Sequence, residues 1–195
     1  MARPIRIIYV RHGETDWNAE GRLQGQQEIP INATGRRQAA EAGRKLAALN
    51  VASATLPWLV SPMQRTRETA EIARTTLGLE PKSYLIEERL REISFGDWEG
   101  RTWKEVRRDD PEGARGRERD KWTFVPPAGE SYAMLAGRVR PWLDGLERDV
   151  VVVGHGGVAR ALLHLRCGVP PAQAPSVDIW QGKLLLVEGE SFRWV

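Results

Sequence analysis

A single cysteine, Cys167, and three histidines are all that the 195-residue chain offers in the way of soft metal ligands. One thiol excludes an intrachain disulfide framework and any multi-cysteine zinc site, and three imidazoles leave little scope for a metal cluster. No run approaches the ~20 apolar residues of a membrane span. The apolar run near the start, Ile5-Arg6-Ile7-Ile8-Tyr9-Val10, is too short for a secretion signal, and Arg11-His12-Gly13-Glu14 stands where a small-residue cleavage site would follow. A cytoplasmic location with no membrane partner is expected. An excess of one charge is also lacking: the net charge is +3, and no finger, RNA-recognition or helix-turn-helix signature supports a nucleic-acid partner. There is no Gly-x-Ser-x-Gly elbow, no Gly-x-x-x-x-Gly-Lys-Ser/Thr loop and no His-Glu-x-x-His pair.

What is present reads as strands alternating with helices. The length suits one domain, residues 1–195, without internal repeat or linker. Residues 5–10 form a β-branched apolar run of the kind buried on both faces of a sheet. Thr34 opens a helical pattern with Ala39, Ala42, Leu46 and Leu49 on one side. Trp58-Leu59-Val60 reads as a second strand, running into Ser61-Pro62-Met63-Gln64, which has the form of a helix start with serine as the cap. Thr66, Ala70, Ala73 and Leu77 are that helix's inner face, and Gly78 its stop. Tyr84-Leu85-Ile86 is a candidate third strand. Residues 102–120 are highly charged and read as a solvated face, with residues 102–130 a candidate lid. A helix from Ser131 carries Leu135, Val139, Trp142 and Leu146, with a kink expected at Pro141. Val150 to Val153 is the clearest strand, followed after Gly154-His155-Gly156-Gly157 by a helix over residues 158–165. Residues 177–195 read as short strands joined by turns at Gln181-Gly182 and Glu188-Gly189. The alternation predicts an α/β three-layer sandwich, with a mostly parallel central sheet and helices on both faces.

Three polar motifs then fall just past strand carboxyl ends, where such sheets bind ligands. They are Arg11-His12-Gly13, Ser61 to Arg65, and Gly154-His155-Gly156. Two histidines and two arginines converging on one crevice suit phosphoryl transfer. Arginine's fork matches phosphate oxygens, and a helix start beside Arg65 adds backbone donors. A neutral imidazole can be the nucleophile, while a second stabilises charge spreading over the phosphoryl oxygens. The leaving oxygen needs a proton, for which Glu92 is the best-placed carboxylic acid by sequence, although Glu87, Glu88, Glu99 and Glu105 lie nearby.

At this point the residues resemble a known family. Arg11-His12-Gly13-Glu14-Thr15 with Trp17-Asn18, Ser61-Pro62 with Arg65 and Thr69-Ala70, Glu92 four residues before Gly96, Gly129-Glu130-Ser131 and His155-Gly156-Gly157 are similar to the signature of the histidine phosphatase superfamily, also called the phosphoglycerate mutase-like family. The resemblance implies a three-layer α/β fold with no metal and no organic cofactor. It implies that His12 is phosphorylated, that Arg11, Arg65 and His155 surround the phosphate, and that Glu92 is first acid and then base. By the same resemblance Asn18 and Gln24 touch the phosphate or its ester, and Glu130 and Ser131 border the substrate pocket. The implied partner is a small-molecule phosphate ester; a homodimer stays open. The loop Gly25-Gln26-Gln27-Glu28 and Ile93 after Glu92 depart from the mutase branch, so hydrolysis is favoured over the alternative, a phosphoglycerate mutase-type isomerase.

Plainer roles are expected elsewhere. Gln24 and Glu130 read equally well as ordinary loop polar groups. His164 lies in an apolar helical stretch and reads as structural, and Cys167 as a small buried or half-buried side chain. The eight tryptophans read mostly as core, with Trp17 and Trp98 as candidates for lining the substrate site.

Overall fold

The computed structural model describes residues 4–49 and 55–195. Six strands, β1 (Arg6–Arg11), β2 (Trp58–Val60), β3 (Leu85–Ile86), β4 (Val150–Gly154), β5 (Leu184–Glu188) and β6 (Ser191–Trp194), form one sheet in the order β3-β2-β4-β1-β5-β6. The pairings β1–β4, β2–β4 and β2–β3 are parallel, as expected; β1–β5 and β5–β6 are antiparallel, so the sheet is mixed. A two-residue turn at Gly189, with φ +59°, lets β5 fold straight back as β6.

Among the described residues seven α-helices and three short 3-10 turns accompany the sheet; the α-helices are α1 (Asp16–Ala19), α2 (Ala33–Ala48), α3 (Gln64–Thr76), α4 (Trp103–Asp109), α5 (Pro111–Arg119), α6 (Tyr132–Asp144) and α7 (Gly156–Cys167). The period-2 alternation of the strands sorts the core into two layers. Ile7, Tyr9, Val150, Val152, Leu185 and Val187 point to the side covered by α6 and α7. Ile8, Val10, Val151, Val153, Leu184 and Leu186 point to the side covered by α2 and α3. The register Ile8↔Val151 and Ile8↔Leu186 keeps these sets apart; a slip of one residue would exchange the two faces.

Helix ends differ from expectation in instructive ways. Asn32, whose Oδ1 accepts from Gly35 N at 2.9 Å, caps α2, so the helix begins at Ala33, one residue before the anticipated Thr34. Ser61 does not cap α3. The cap position is Met63, without a side-chain bond, because the Ser61 hydroxyl is held by His155 Nε2 at 2.7 Å. Ser131 does cap α6, accepting from Met134 N at 3.1 Å, and the helix continues three residues beyond Pro141. Leu146 falls outside α6 yet packs against the same core. The charged stretch after residue 102 is helical rather than a plain solvated face. A Thr102–Glu105 capping box starts α4, and Asp110 followed by Pro111 starts α5. Val106 and Ala114 meet Leu23 and Trp98 in a satellite core, where Phe124 stacks on Trp98. Cys167 is half-buried, and His164 is structural in its contacts: Nδ1 lies 2.9 Å from the Val169 carbonyl and its ring lies against Trp122.

Candidate active site

β1 and β4 run side by side and deliver the two catalytic-type histidines together. The ladder extends one step beyond β1, with His12 N donating to Gly154 O at 2.9 Å. Tyr9 of β1 fixes His155: its hydroxyl accepts from His155 N at 2.7 Å and donates to His155 O at 2.8 Å. That clamp needs glycine at 154, since a Cβ there would lie 2.3 Å from the Tyr9 oxygen. The two imidazole centroids end 5.3 Å apart.

Chemistry follows from which nitrogen carries the proton. His12 Nδ1 lies 2.8 Å from the Gly13 carbonyl, which can only accept, so the proton sits on Nδ1 and Nε2 keeps the lone pair. Burial, then the charges of Arg65 and Arg11, hold the His12 pKa well below the usual histidine value, so the ring is neutral at neutral pH. Burial and Arg65 also lower His155. Its Nε2 is engaged with Ser61, while Nδ1 is buried without a partner.

Arg65, in the first turn of α3, braces the opposite loop by donating from Nη1 to Gln27 O at 2.8 Å and from Nη2 to Gly25 O at 2.7 Å. Burial lowers its pKa to about 10. Arg11 donates from Nη1 to Ile179 O at 2.7 Å. The Nε atoms of both arginines are buried and unpartnered, like His155 Nδ1. His155 is fully buried and does not itself line the cleft, whereas Arg11 and Arg65 do; their two unpartnered donors cost about 1–3 kcal/mol each unless an acceptor with several oxygens satisfies them. A phosphoryl group is such an acceptor.

Glu92 enters from the other side of the cleft. Its Oε1 accepts from Ile93 N at 2.9 Å and its Oε2 from Gly157 N, in the first turn of α7, at 3.1 Å. Gly157 permits that approach: a Cβ would lie 2.4 Å from Oε1. Asn18 and Gln24 line the same cleft with Arg11, His12, Arg65 and Glu92, in a cavity of about 130 Å³. The rival carboxylates are engaged elsewhere, Glu87 with Arg89, Glu88 with Arg91, Glu99 with the backbone of Gln26 and Phe95, and Glu105 in its capping box.

Glu130 and Ser131 do not line the cleft. Glu130 pairs with Arg138 at 2.9 Å, and Arg138 also donates to the carbonyls of Arg89 and Arg91, next to Glu92. Ser131 is spent on capping α6. Trp17 and Trp98 are not lining residues either. Trp98 is buried in the satellite core with its indole N–H donating to Asp110, and Trp17 packs near Gly100. No residue of the 102–130 segment lines the cleft. Conversely, Arg22, Phe95, Tyr132 and Arg160 do line it without having been singled out. Arg160 had a signal, standing four residues after Gly156 on the same helix face; Tyr132 and Phe95 carried none.

Among the described residues, no helix is long and apolar enough to cross a membrane, and no group of three or more His, Cys, Asp or Glu side chains is placed to hold a metal ion. The family model of the histidine phosphatase superfamily (branch 1) matches residues 7–195. Glucosyl-3-phosphoglycerate phosphatase of Mycobacterium tuberculosis is 34% identical over 190 residues, covering 90% of this chain and 81% of its own. A protein named probable phosphoglycerate mutase GpmB of Yersinia enterocolitica is 31% identical, covering 98% of this chain and 88% of its own. The solved structure of mycobacterial glucosyl-3-phosphoglycerate phosphatase superposes with a TM-score of 0.81 at 30% identity, covering 99% of this chain and 97% of that one.

Proposed function

Since the chain belongs to the histidine phosphatase superfamily (branch 1) and is a phosphatase, we propose that it hydrolyses a small phosphate monoester through a phosphohistidine at His12. The lone pair of His12 Nε2 attacks phosphorus and the P–O bond to the alcohol breaks. Glu92, as the acid, passes its proton to the departing oxygen. Arg11, Arg65 and His155 hold the three equatorial oxygens, where charge spreads in the transition state. Glu92, now a carboxylate, then takes a proton from water as the water oxygen attacks phosphorus and the P–N bond breaks, restoring His12 and releasing phosphate.

The observation that carries this reading is the contact between His12 Nδ1 and the Gly13 carbonyl, which leaves Nε2 as the basic atom in a cleft also lined by Arg11 and Arg65, each with an unpartnered Nε. Hydrolysis without a metal is part of the proposal. The arginines lining the cleft supply the positive charge that a metal would otherwise bring, and they would repel a cation. A cytoplasmic setting is carried over from the sequence reading. A mutase is not favoured: Ile93 rather than arginine follows Glu92, and of the two relatives the phosphatase is the more similar, 34% identical against 31% for the protein named as a mutase.

Phosphate release from a panel of phosphomonoesters in EDTA, for wild type and His12→Ala side by side, tests the reading. Wild type releases phosphate, and His12→Ala loses at least ~10³-fold in kcat while retaining its circular dichroism. A variant within ~10-fold of wild type would remove His12 as nucleophile.

A further inference from the structure

Two loops face each other across the cleft, residues 24–28 and residues 92–96, and a carboxylate with no part in the hydrolytic steps ties one to the other. Arg65 holds the first loop by the carbonyls of Gly25 and Gln27, and the second carries Glu92. Glu99, which follows the second loop, accepts from both. Its Oε1 takes Gln26 N at 3.0 Å from one side, and Phe95 N at 3.1 Å and Ser94 Oγ at 3.3 Å from the other. Its Oε2 takes Gln27 Nε2 at 2.9 Å. Gln26 adds a second link, donating from its own Nε2 to the carbonyl of Glu92 at 3.0 Å. The space between the loops is kept for this carboxylate, since a Cβ on Gly25 would lie 1.8 Å from Glu99 Oε1.

All four partners of Glu99 are donors, a set that an acceptor-only carboxylate satisfies. Beyond Glu99 the chain has other ties to the first loop. Gly100 N donates to Leu23 O at 2.8 Å and Leu23 N to Arg101 O at 2.9 Å, so the outer ends of the loops stay joined without the carboxylate. What Glu99 adds is at the inner ends, where Phe95 and Ser94 stand two and three residues from Glu92. The geometry points to Glu99 as a positioning residue: by clamping the loop of Glu92 onto the loop held by Arg65, it sets how far the acid stands from the bound phosphate and its leaving oxygen. Glu99 itself does not line the cleft and acts only through Glu92. The inference rests on the reading of Glu92 as the acid.

The test compares wild type with Glu99→Ala, Glu99→Asp and Glu99→Gln in turnover of an alkyl and an activated phenyl phosphate, inhibition by inorganic phosphate, and amide hydrogen exchange. Glu99→Ala should lower kcat on the alkyl ester about 10²-fold, the cost of a displacement on the order of 1 Å. The phenyl ester, which scarcely needs the proton, should lose far less, and inhibition by phosphate should stay within about twofold because Arg65 keeps its own two carbonyls. Glu99→Asp withdraws the carboxylate by one carbon; it should match Glu99→Ala and replaces it should the alanine variant not fold. Glu99→Gln should recover the alkyl rate to within about tenfold, since its amide oxygen meets the three Oε1 donors and the exposed Gln27 amide can turn to accept. Exchange at Gln26 and Phe95 should quicken in Glu99→Ala while β4 stays protected. Equal losses on the two esters, weaker inhibition by phosphate, or unchanged exchange at Gln26 and Phe95 would overturn the positioning role. The exchange result stands whatever the turnover, whereas no phosphate release by wild type would remove the hydrolase reading instead.

Discussion

Asn18 holds its amide one way round because three donors meet its Oδ1: Thr15 N and Thr15 Oγ1, each at 3.2 Å, and Gln181 Nε2 at 3.0 Å. The same Gln181 nitrogen reaches the His12 carbonyl at 3.1 Å. The amide nitrogen of Asn18 is thereby left as the donor end in the cleft. Gln181 is a positioning residue, separated by 163 positions from Asn18, and no sequence pattern pointed to it. Gln181→Leu is expected to lower kcat/KM about 10-fold, and Gln181→Glu further, since a carboxylate repels Oδ1 and favours the reversed amide. Wild-type kcat/KM in Gln181→Glu would show that the amide is oriented by Thr15 alone. Glu92 carries a second prediction at this scale. Glu92→Gln should slow an alkyl phosphate at least ~10²-fold while an activated phenyl ester, whose leaving group scarcely needs a proton, loses far less. Equal losses on the two would assign the proton to another group.

At the scale of elements, the N-terminus of α7 and the loop carrying Glu92 act as one part. The Gly157 N–H bonds Glu92 Oε2, and a Cβ on residue 157 would also meet Ile93 Cγ2 at 2.9 Å. Gly157→Ala therefore has to push the carboxylate aside. Its kinetic signature should be that of Glu92→Gln, with the loss concentrated on poor leaving groups, in a protein whose helix content is unchanged; a uniform loss on all esters would locate the damage at His12 instead. Elements were legible where pattern and packing agree. The valine run of β4, the helix start near Ser131 and the three strand-end motifs could be read because each depends on neighbours within a few residues. The start of α3 could not, since Ser61 has the right local chemistry for a cap but gives its hydroxyl to a histidine 94 residues away. Residues 102–120 concealed two helices because their buried face is only Val106 and Ala114, too short a stripe to register as a period. Glu130 has the opposite history. The family motif set it at the border of the substrate pocket, but it lies outside the cleft and pairs with Arg138, which holds the carbonyls of Arg89 and Arg91 just ahead of Glu92.

For the whole molecule, the two buried neutral histidines tie stability to pH. Both are held below the ordinary histidine value in the folded state, so below about pH 6.5 the unfolded chain binds protons that the native protein refuses. Their contribution is full above that pH and is lost as pH falls toward their folded values, at about 1.4 kcal/mol per pH unit for each histidine. Urea melts at pH 7 and pH 5 should show this fall, with a shallower slope in a His12→Asn, His155→Asn protein. An equal slope in both would trace the loss to carboxylates. Inorganic phosphate, bound by the native state alone, should raise the midpoint at either pH.

The place of β1 in the sheet has a consequence in time. The strand that ends at His12 lies between β4, whose register partners are more than 140 positions away, and β5, which pairs Arg6 with Glu188. During synthesis β1, made before the other five strands of this sheet, waits for β4 and β5, and until both have left the ribosome the nucleophile has no ladder to stand on. Ile7, Ile8 and Val10 spend that interval without their sheet partners. A nascent chain arrested before residue 184 should therefore be catalytically silent and adhesive, a natural client for a holding chaperone, and activity should switch on over the emergence of the final hairpin rather than grow with chain length.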